Sequence, residues 1–230
     1  MEPVKITKKK TAIISDGGNQ LSEIDHTYPA FLASCNRSFD GILCHIRFTK
    51  DRYIVCYRHR SLYKLIHKKI HISTNNYHDL EKVDFGRPYS NITLLNDVIS
   101  LAIEYRKQLY IKLCPPVGIR ELNQLKSELA NVCDKVILIS NDERHLIFFR
   151  KAFPTMHLVL SIPNYNDHYE KLCVKNNFDC LLDLEQVSSQ VINAAHQANL
   201  KIGINKIDNP IDASIMIENE IDFFFTESLE

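Results

Sequence analysis

Leu109-Tyr110-Ile111-Lys112-Leu113, Val136-Ile137-Leu138-Ile139 and His157-Leu158-Val159-Leu160-Ser161-Ile162 are three short apolar runs set apart by longer amphipathic stretches. Such runs, bounded by polar segments, suit strands buried on both faces of a parallel sheet. The pattern continues outward in both directions. Thr11-Ala12-Ile13-Ile14 and Gly41-Ile42-Leu43-Cys44-His45-Ile46 precede it; Cys180-Leu181-Leu182, Lys201-Ile202-Gly203-Ile204-Asn205 and Asp222-Phe223-Phe224-Phe225 follow. Between them, Leu146, Ile147 and Phe149 mark a helical stripe in residues 142–151. Val191, Ile192, Ala195 and Ala198 mark another in residues 187–198. Strands alternating with helices are repeated βαβ units. Eight of them predict an α/β fold closed as a (β/α)8 barrel of the TIM type.

One segment departs from the alternation. Thr49-Lys50-Asp51-Arg52 reads as a turn and leads at once into Tyr53-Ile54-Val55-Cys56-Tyr57. No helix fits between the two strands, so the second should return antiparallel, outside the barrel. Turn chemistry at Ser73-Thr74-Asn75-Asn76 and Gly86-Arg87-Pro88 marks an irregular excursion, ending in a helix near Leu94 to Tyr105. The expected organisation is one barrel domain over residues 1–230, with an insertion at about 53–107 after the second strand.

Composition narrows the function classes. Lysine plus arginine and aspartate plus glutamate both number 28, so no global charge draws the chain to nucleic acid or an anionic membrane. The Lys8-Lys9-Lys10 run reads as a solvated lead-in to the first strand. The seven cysteines, Cys35, Cys44, Cys56, Cys114, Cys133, Cys173 and Cys180, show no C-x-x-C spacing, so neither a zinc nor a redox motif is signalled. Several lie in strand candidates, where cysteine behaves as a small buried hydrophobe. Residues Met1 to Lys5 lack a signal-peptide core, and no apolar run is long enough to span a bilayer. A soluble protein of the reducing cytoplasm is expected.

The motifs, taken in order, resemble those of the glycerophosphodiester phosphodiesterase family. Ile14-Ser15-Asp16-Gly17-Gly18 is similar to A-H-R-G-G, and Ile24-Asp25-His26-Thr27-Tyr28-Pro29-Ala30-Phe31 to P-E-N-T-x-x-A-F. Residues 40–58 follow G-D-x-I-E-x-D-V-x-x-T-K-D-G-x-x-V-V-x-H in spacing, with Thr49-Lys50-Asp51 kept. Tyr110-Ile111-Lys112 stands at E-I-K, Ile202-Gly203-Ile204-Asn205 at W-T-V-N, and residues 221–227 at V-D-G-I-I-T-D. The resemblance runs from about residue 11 to the C-terminus. It implies the TIM barrel and, for the family, metal-assisted hydrolysis of glycerophosphodiesters to glycerol 3-phosphate and an alcohol, with two histidines as acid and base.

The departures fall on the chemistry. The resemblance puts Ser15 and Arg58 at the two histidine positions and Leu43, His45 and Tyr110 at the metal-binding carboxylates; Lys112 keeps its identity and Ser140 matches a strand-end serine. A hard divalent cation needs several oxygen ligands, which Leu43, His45 and Tyr110 do not supply. Arg58 stays protonated and cannot act as a base. Glycine positions of the family hold Arg52 and Phe223, whereas Gly17-Gly18 remain and read as a tight turn.

The catalytic set is therefore expected to be broken, with no cofactor and no metal at the family positions. Asp16, Arg58 and Lys112, together with Arg47 if it faces inward, are the candidates for binding a phosphorylated small molecule; a protein partner is the other expectation. The alternative is an active phosphodiesterase whose site is rebuilt from Asp16, Asp25, His26 and His45 around zinc or iron, ligands those ions accept. Against it stands the plainer possibility that these are loop residues, with Asp25 capping a helix over Thr27 to Ser34. His67, His71 and His78 read as surface positions. A purely structural interaction protein is the third reading, for which an exposed apolar patch would be the sign.

Overall fold

A computed structural model describes residues 11–18 and 23–229; the Lys8-Lys9-Lys10 run lies outside them. The chain runs β1 (Ala12–Asp16), α1 (Tyr28–Cys35), β2 (Gly41–Phe48), β3 (Ile54–Cys56), α2 (Tyr63–Ile66), α3 (Tyr77–Leu80), β4 (Thr93–Leu94) and α4 (Leu95–Glu104). It continues with β5 (Gln108–Leu113), α5 (Ile119–Leu129), β6 (Val136–Ser140), α6 (Glu143–Ala152), β7 (His157–Ser161) and α7 (Asp167–Asn176). Last come β8 (Asp179–Leu182), α8 (Ser189–Gln197), β9 (Ile202–Ile204), α9 (Pro210–Glu218) and β10 (Phe223–Thr226).

Strands β1, β2, β5, β6, β7, β8, β9 and β10 pair in parallel in that order, and β10 closes on β1 from Ala12↔Phe223 to Ser15↔Thr226. The result is a (β/α)8 barrel. After β2 the chain turns at Lys50-Asp51 and returns antiparallel as β3, which pairs with β2 at Ile46↔Cys56 and with β4 at Val55↔Leu94. Arg52 takes a left-handed φ of 70° in this turn, a conformation that favours glycine. The expected insertion is thus a small hairpin-led excursion over one end of the barrel. It rests on its own apolar cluster of Val55, Tyr57, Leu62, Ile72, Leu80, Phe85 and Ile92.

The period of two along each strand divides the apolar residues between two layers. Ile14, Leu43, Tyr110, Ile137, Ile139, Val159, Leu181, Phe223 and Phe225 point inward and fill the barrel. Their neighbours, among them Ile42, Cys44, Ile111, Leu138 and Leu158, point outward to meet Phe31, Val98, Leu125, Leu146 and Phe149 of the helices. Phe223 owes its place to a compensating glycine. It pairs with Gly203 on β9, where an added Cβ would lie 2.1 Å from the Phe223 ring. Tyr110, Phe223 and Phe225 then pack ring against ring, with centroids 5.3 to 5.7 Å apart.

The cysteines are all free thiols; six are buried and Cys133 is half-buried. His67, His71 and His78 are exposed, as expected. Among the described residues no helix is long and apolar enough to cross a membrane.

Candidate functional site

Inward-facing polar residues of three strands gather at the C-terminal end of the barrel. Strand β1 delivers Asp16, β2 delivers His45 two residues beyond the core residue Leu43, and β5 delivers Lys112 two beyond Tyr110. This is the end at which barrel active sites assemble. Asn205, Asp183, Lys206, Asp208 and Glu227 join them from the loops after β9, β8 and β10.

The β1–α1 loop contributes His26. Gly17 has a φ of 71°, and an added Cβ would lie 2.6 Å from the His26 ring; at Gly18 it would lie 2.5 Å from the Ala30 backbone. The Gly17-Gly18 turn therefore makes room for the imidazole and for α1. His26 itself is held at a left-handed φ of 60°, with its N–H donating to the Gly17 carbonyl at 2.6 Å. Such conformations cost about 1–3 kcal/mol and cluster at functional sites.

A chain of close contacts follows. Asp25 Oδ2 lies 3.3 Å from His26 Nδ1, His26 Nε2 lies 3.1 Å from His45 Nδ1, and His45 Nδ1 lies 3.4 Å from Asp16 Oδ1. The His45 backbone N–H also points at His26 Nε2, at 3.4 Å. His26 Nε2 thus faces donors, which puts its own proton on Nδ1, toward Asp25. Asp16, His26 and His45 are all buried, and one ligand atom from each lies within 4.8 Å of the others.

Arg58, two residues beyond β3, closes the other side. It donates to Asp16 Oδ2 at 2.7 Å and to Glu227 Oε1 at 2.8 Å. Lys206 pairs with the other oxygen of Glu227 and with Asp208 at 3.0 Å. Lys112 donates to Asn205 Oδ1 at 2.7 Å, and Asn205 donates to Asp183 at 3.0 Å.

Burial pushes the Asp16 carboxyl up despite Arg58 and His26. Burial also drives the His45 imidazole well below its ordinary range, and the charges of His26, Arg58 and Lys112 act in the same direction, so His45 is neutral. Burial lowers the Lys112 ammonium, with Asp16 opposing. At Asp25 and Glu227 burial works upward but is outweighed, by His26 at the first and by Lys206 and Arg58 at the second, and both are held low.

Several sequence expectations need correction. Ser15, matched to a family histidine, points out of the barrel, its Oγ 2.8 Å from that of Ser34 on α1; the period of two gives the mouth to Asp16 instead. Asp25 does not cap α1. The cap position is Thr27, whose hydroxyl donates to the Ile24 carbonyl, while Asp25 turns to His26. Arg47 is not a pocket cation, because its guanidinium is committed to the carbonyls of Arg58 and Pro115. Ser140 accepts from the Asp142 N–H and contacts His145, at the start of α6. Asp183, Asn205, Lys206, Asp208 and Glu227 were not singled out as site residues. Asn205 and Glu227 end strand motifs, the one signal that could have marked them.

Beside this cluster a cavity of about 730 Å³ opens over the ends of β6 to β8, lined by Arg144, Ser161, His168, Tyr169 and Asp183 among others. Another, of about 400 Å³, lies at the opposite end, against Lys107, Gln108, Lys135 and Val136, where a barrel carries stability rather than chemistry.

The barrel has the fold of the glycerophosphodiester phosphodiesterases. A phosphodiesterase of Oleispira antarctica, solved in complex with the product sn-glycerol-3-phosphate, superposes with a TM-score of 0.85 at 13% identity, over 95% of this chain and 93% of its own. Glycerophosphodiester phosphodiesterases of Parabacteroides distasonis and Thermotoga maritima give 0.83 and 0.79, at 13% and 17% identity. These cover 96% and 94% of this chain and 94% of each of theirs. In sequence, the chain is 27% identical over 156 residues to an uncharacterized protein of Mycoplasma genitalium, a stretch spanning 63% of this chain and 66% of that relative. No protein-family model matches the chain.

Proposed function

We propose that this barrel is a relative of the glycerophosphodiester hydrolases that binds a phosphorylated ligand at its strand mouth and does not hydrolyse it by the family's route. The observation that carries the reading is Arg58, a fixed cation seated between Asp16 and Glu227. The resemblance assigns a proton-transferring histidine to that position, and an arginine there cannot take up a proton.

The metal positions implied by the resemblance support the same reading. Leu43 is 0% exposed in the barrel core, and Tyr110 is locked in the aromatic stack below the mouth. Neither offers a ligand for magnesium or calcium. Without the cation, several kcal/mol of transition-state stabilisation are missing. Each lost proton-transfer group removes a further ~10²–10⁴ in rate. Lys112, whose ammonium bonds the neutral Asn205, leaves the mouth with a cationic donor suited to phosphate oxygens.

The test is a paired measurement on the purified full chain. Glycerol phosphate release from glycerophosphodiesters is followed with magnesium, calcium, manganese and zinc, and binding of sn-glycerol-3-phosphate by calorimetry. Saturable binding without turnover is expected.

A second reading, hydrolysis through a rebuilt metal site, draws on the convergence of Asp16, His26 and His45. Metal-dependent turnover abolished by Asp25→Ala would establish it and overturn the first.

A further inference from the structure

We infer that Asp16, His26 and His45 form a binding site for a divalent transition-metal ion of the zinc class, a ligand set that shares only His45 with the metal positions that the resemblance implies.

The geometry is that of a ligand set already in place. An ion held at about 2.1 Å by tetrahedral nitrogen and oxygen donors has its ligands about 3.4 Å apart. Here His26 Nε2 and His45 Nδ1 are 3.1 Å apart, and His45 Nδ1 and Asp16 Oδ1 are 3.4 Å apart. The third pair, His26 and Asp16, also lies within 4.8 Å, so side-chain adjustment of about an ångström or less brings all three donors onto one ion.

The surroundings suit a ligand role. Asp25 accepts the hydrogen bond from the Nδ1–H of His26, as the outer-sphere carboxylate that orients a metal-bound histidine and strengthens it as a ligand. Gly17 keeps the His26 ring in position. His45 moves its proton from Nδ1 to Nε2 on binding, so neither imidazole ionises and no proton leaves. Arg58 bonds Oδ2 of Asp16, and Oδ1 faces His45.

Charge balance favours a dication. Asp16, Asp25, Asp183, Asp208 and Glu227 bring five negative charges to the mouth and Arg58, Lys112 and Lys206 three positive, leaving two to be neutralised. Two imidazoles and a single carboxylate select zinc, cobalt or iron(II) over magnesium and calcium. Three protein donors leave one tetrahedral position for a water or an external ligand.

The experiment uses the full chain stripped with a chelator and titrated with zinc, cobalt(II), magnesium or calcium in a non-coordinating buffer. One zinc per chain is expected, with the strong visible absorption of tetrahedral cobalt and no binding of magnesium or calcium. His26→Gln and His45→Asn should each weaken zinc binding at least about 100-fold, and Asp25→Ala about 10–100-fold. His78→Ala, on an exposed histidine, should leave it unchanged.

Absence of saturable zinc binding, or binding that survives in folded His26→Gln, would overturn the site. Should the histidine variants not fold, the cobalt spectrum of the unaltered chain decides: an octahedral spectrum overturns it. These readouts involve no turnover, so the site and the non-hydrolytic reading can fail separately.

Discussion

The guanidinium of Arg58 lies 2.7 Å from Oδ2 of Asp16, joining the hairpin excursion after β2 to the end of the first barrel strand. Asp16 is buried, so removing its partner strands a carboxylate away from water. Arg58→Ala should cost about 2–4 kcal/mol, measured by urea denaturation. Arg58→Lys should recover little, because one ammonium cannot reach Asp16 and Glu227 with the arginine fork's geometry. A loss below about 0.5 kcal/mol would place the pair among ordinary surface ion pairs.

Gly203 and Phe223 should be energetically coupled. Gly203→Ala drives a Cβ into the Phe223 ring and should cost about 1–3 kcal/mol or more. Phe223→Ala should cost about 3–5 kcal/mol through the cavity it leaves. In the double variant the added methyl fills part of that cavity, so its loss should be smaller than the sum of the two single losses. Strict additivity in the denaturation data would sink this account of the barrel core.

Asp142 gives a pH signature at the start of α6. The side-chain hydrogen bond from Arg144 is the main cause that holds its carboxyl down at about 2, slight burial opposing and the Arg144 N–H adding. A carboxylate with a lowered folded pKa stabilises the fold above the unfolded value of about 3.9, and that stability is lost as pH falls through about 2. Carboxyl NMR should find Asp142 titrating near 2. Asp142→Ala should cost about 1 kcal/mol at neutral pH, the worth of an N-cap.

Lys112 should govern ligand affinity more than stability. Its ammonium is lowered by burial and bonds one neutral partner, Asn205. Lys112→Gln keeps a hydrogen-bonding head while removing the charge. It should weaken sn-glycerol-3-phosphate binding about 10–100-fold, the worth of one charged hydrogen bond. Unchanged affinity by calorimetry would place the phosphate elsewhere on the barrel.

Much of the fold was legible because its signals are local. The eight apolar runs fall on the eight barrel strands, and Thr49 to Tyr57 fixed the antiparallel return. The helix expected near Leu94 to Tyr105 is α4, Leu95–Glu104. The candidate site was legible only as an inventory. Asp16, Asp25, His26 and His45 stand together as ligand candidates, but a plain reading of Asp25 as a helix cap competes with that, Ser15 is placed by motif spacing, and the facing of Arg47 is open.

What the sequence alone determined is the alternation of short apolar strands with amphipathic helices, and hence the barrel, because burial periodicity is written along the chain. Only the tertiary structure decided which side of each strand end faces the mouth and which loop residue meets it. A shift of one residue exchanges the helix face for the barrel interior, which is why Ser15 meets Ser34 and Asp16 meets Arg58. His26 and His45 lie nineteen positions apart on a loop and a strand, and barrel closure with the Gly17 turn brings their rings within 3.1 Å. That distance depends on how the strands curve and pack around the interior side chains, information that no short stretch of sequence holds.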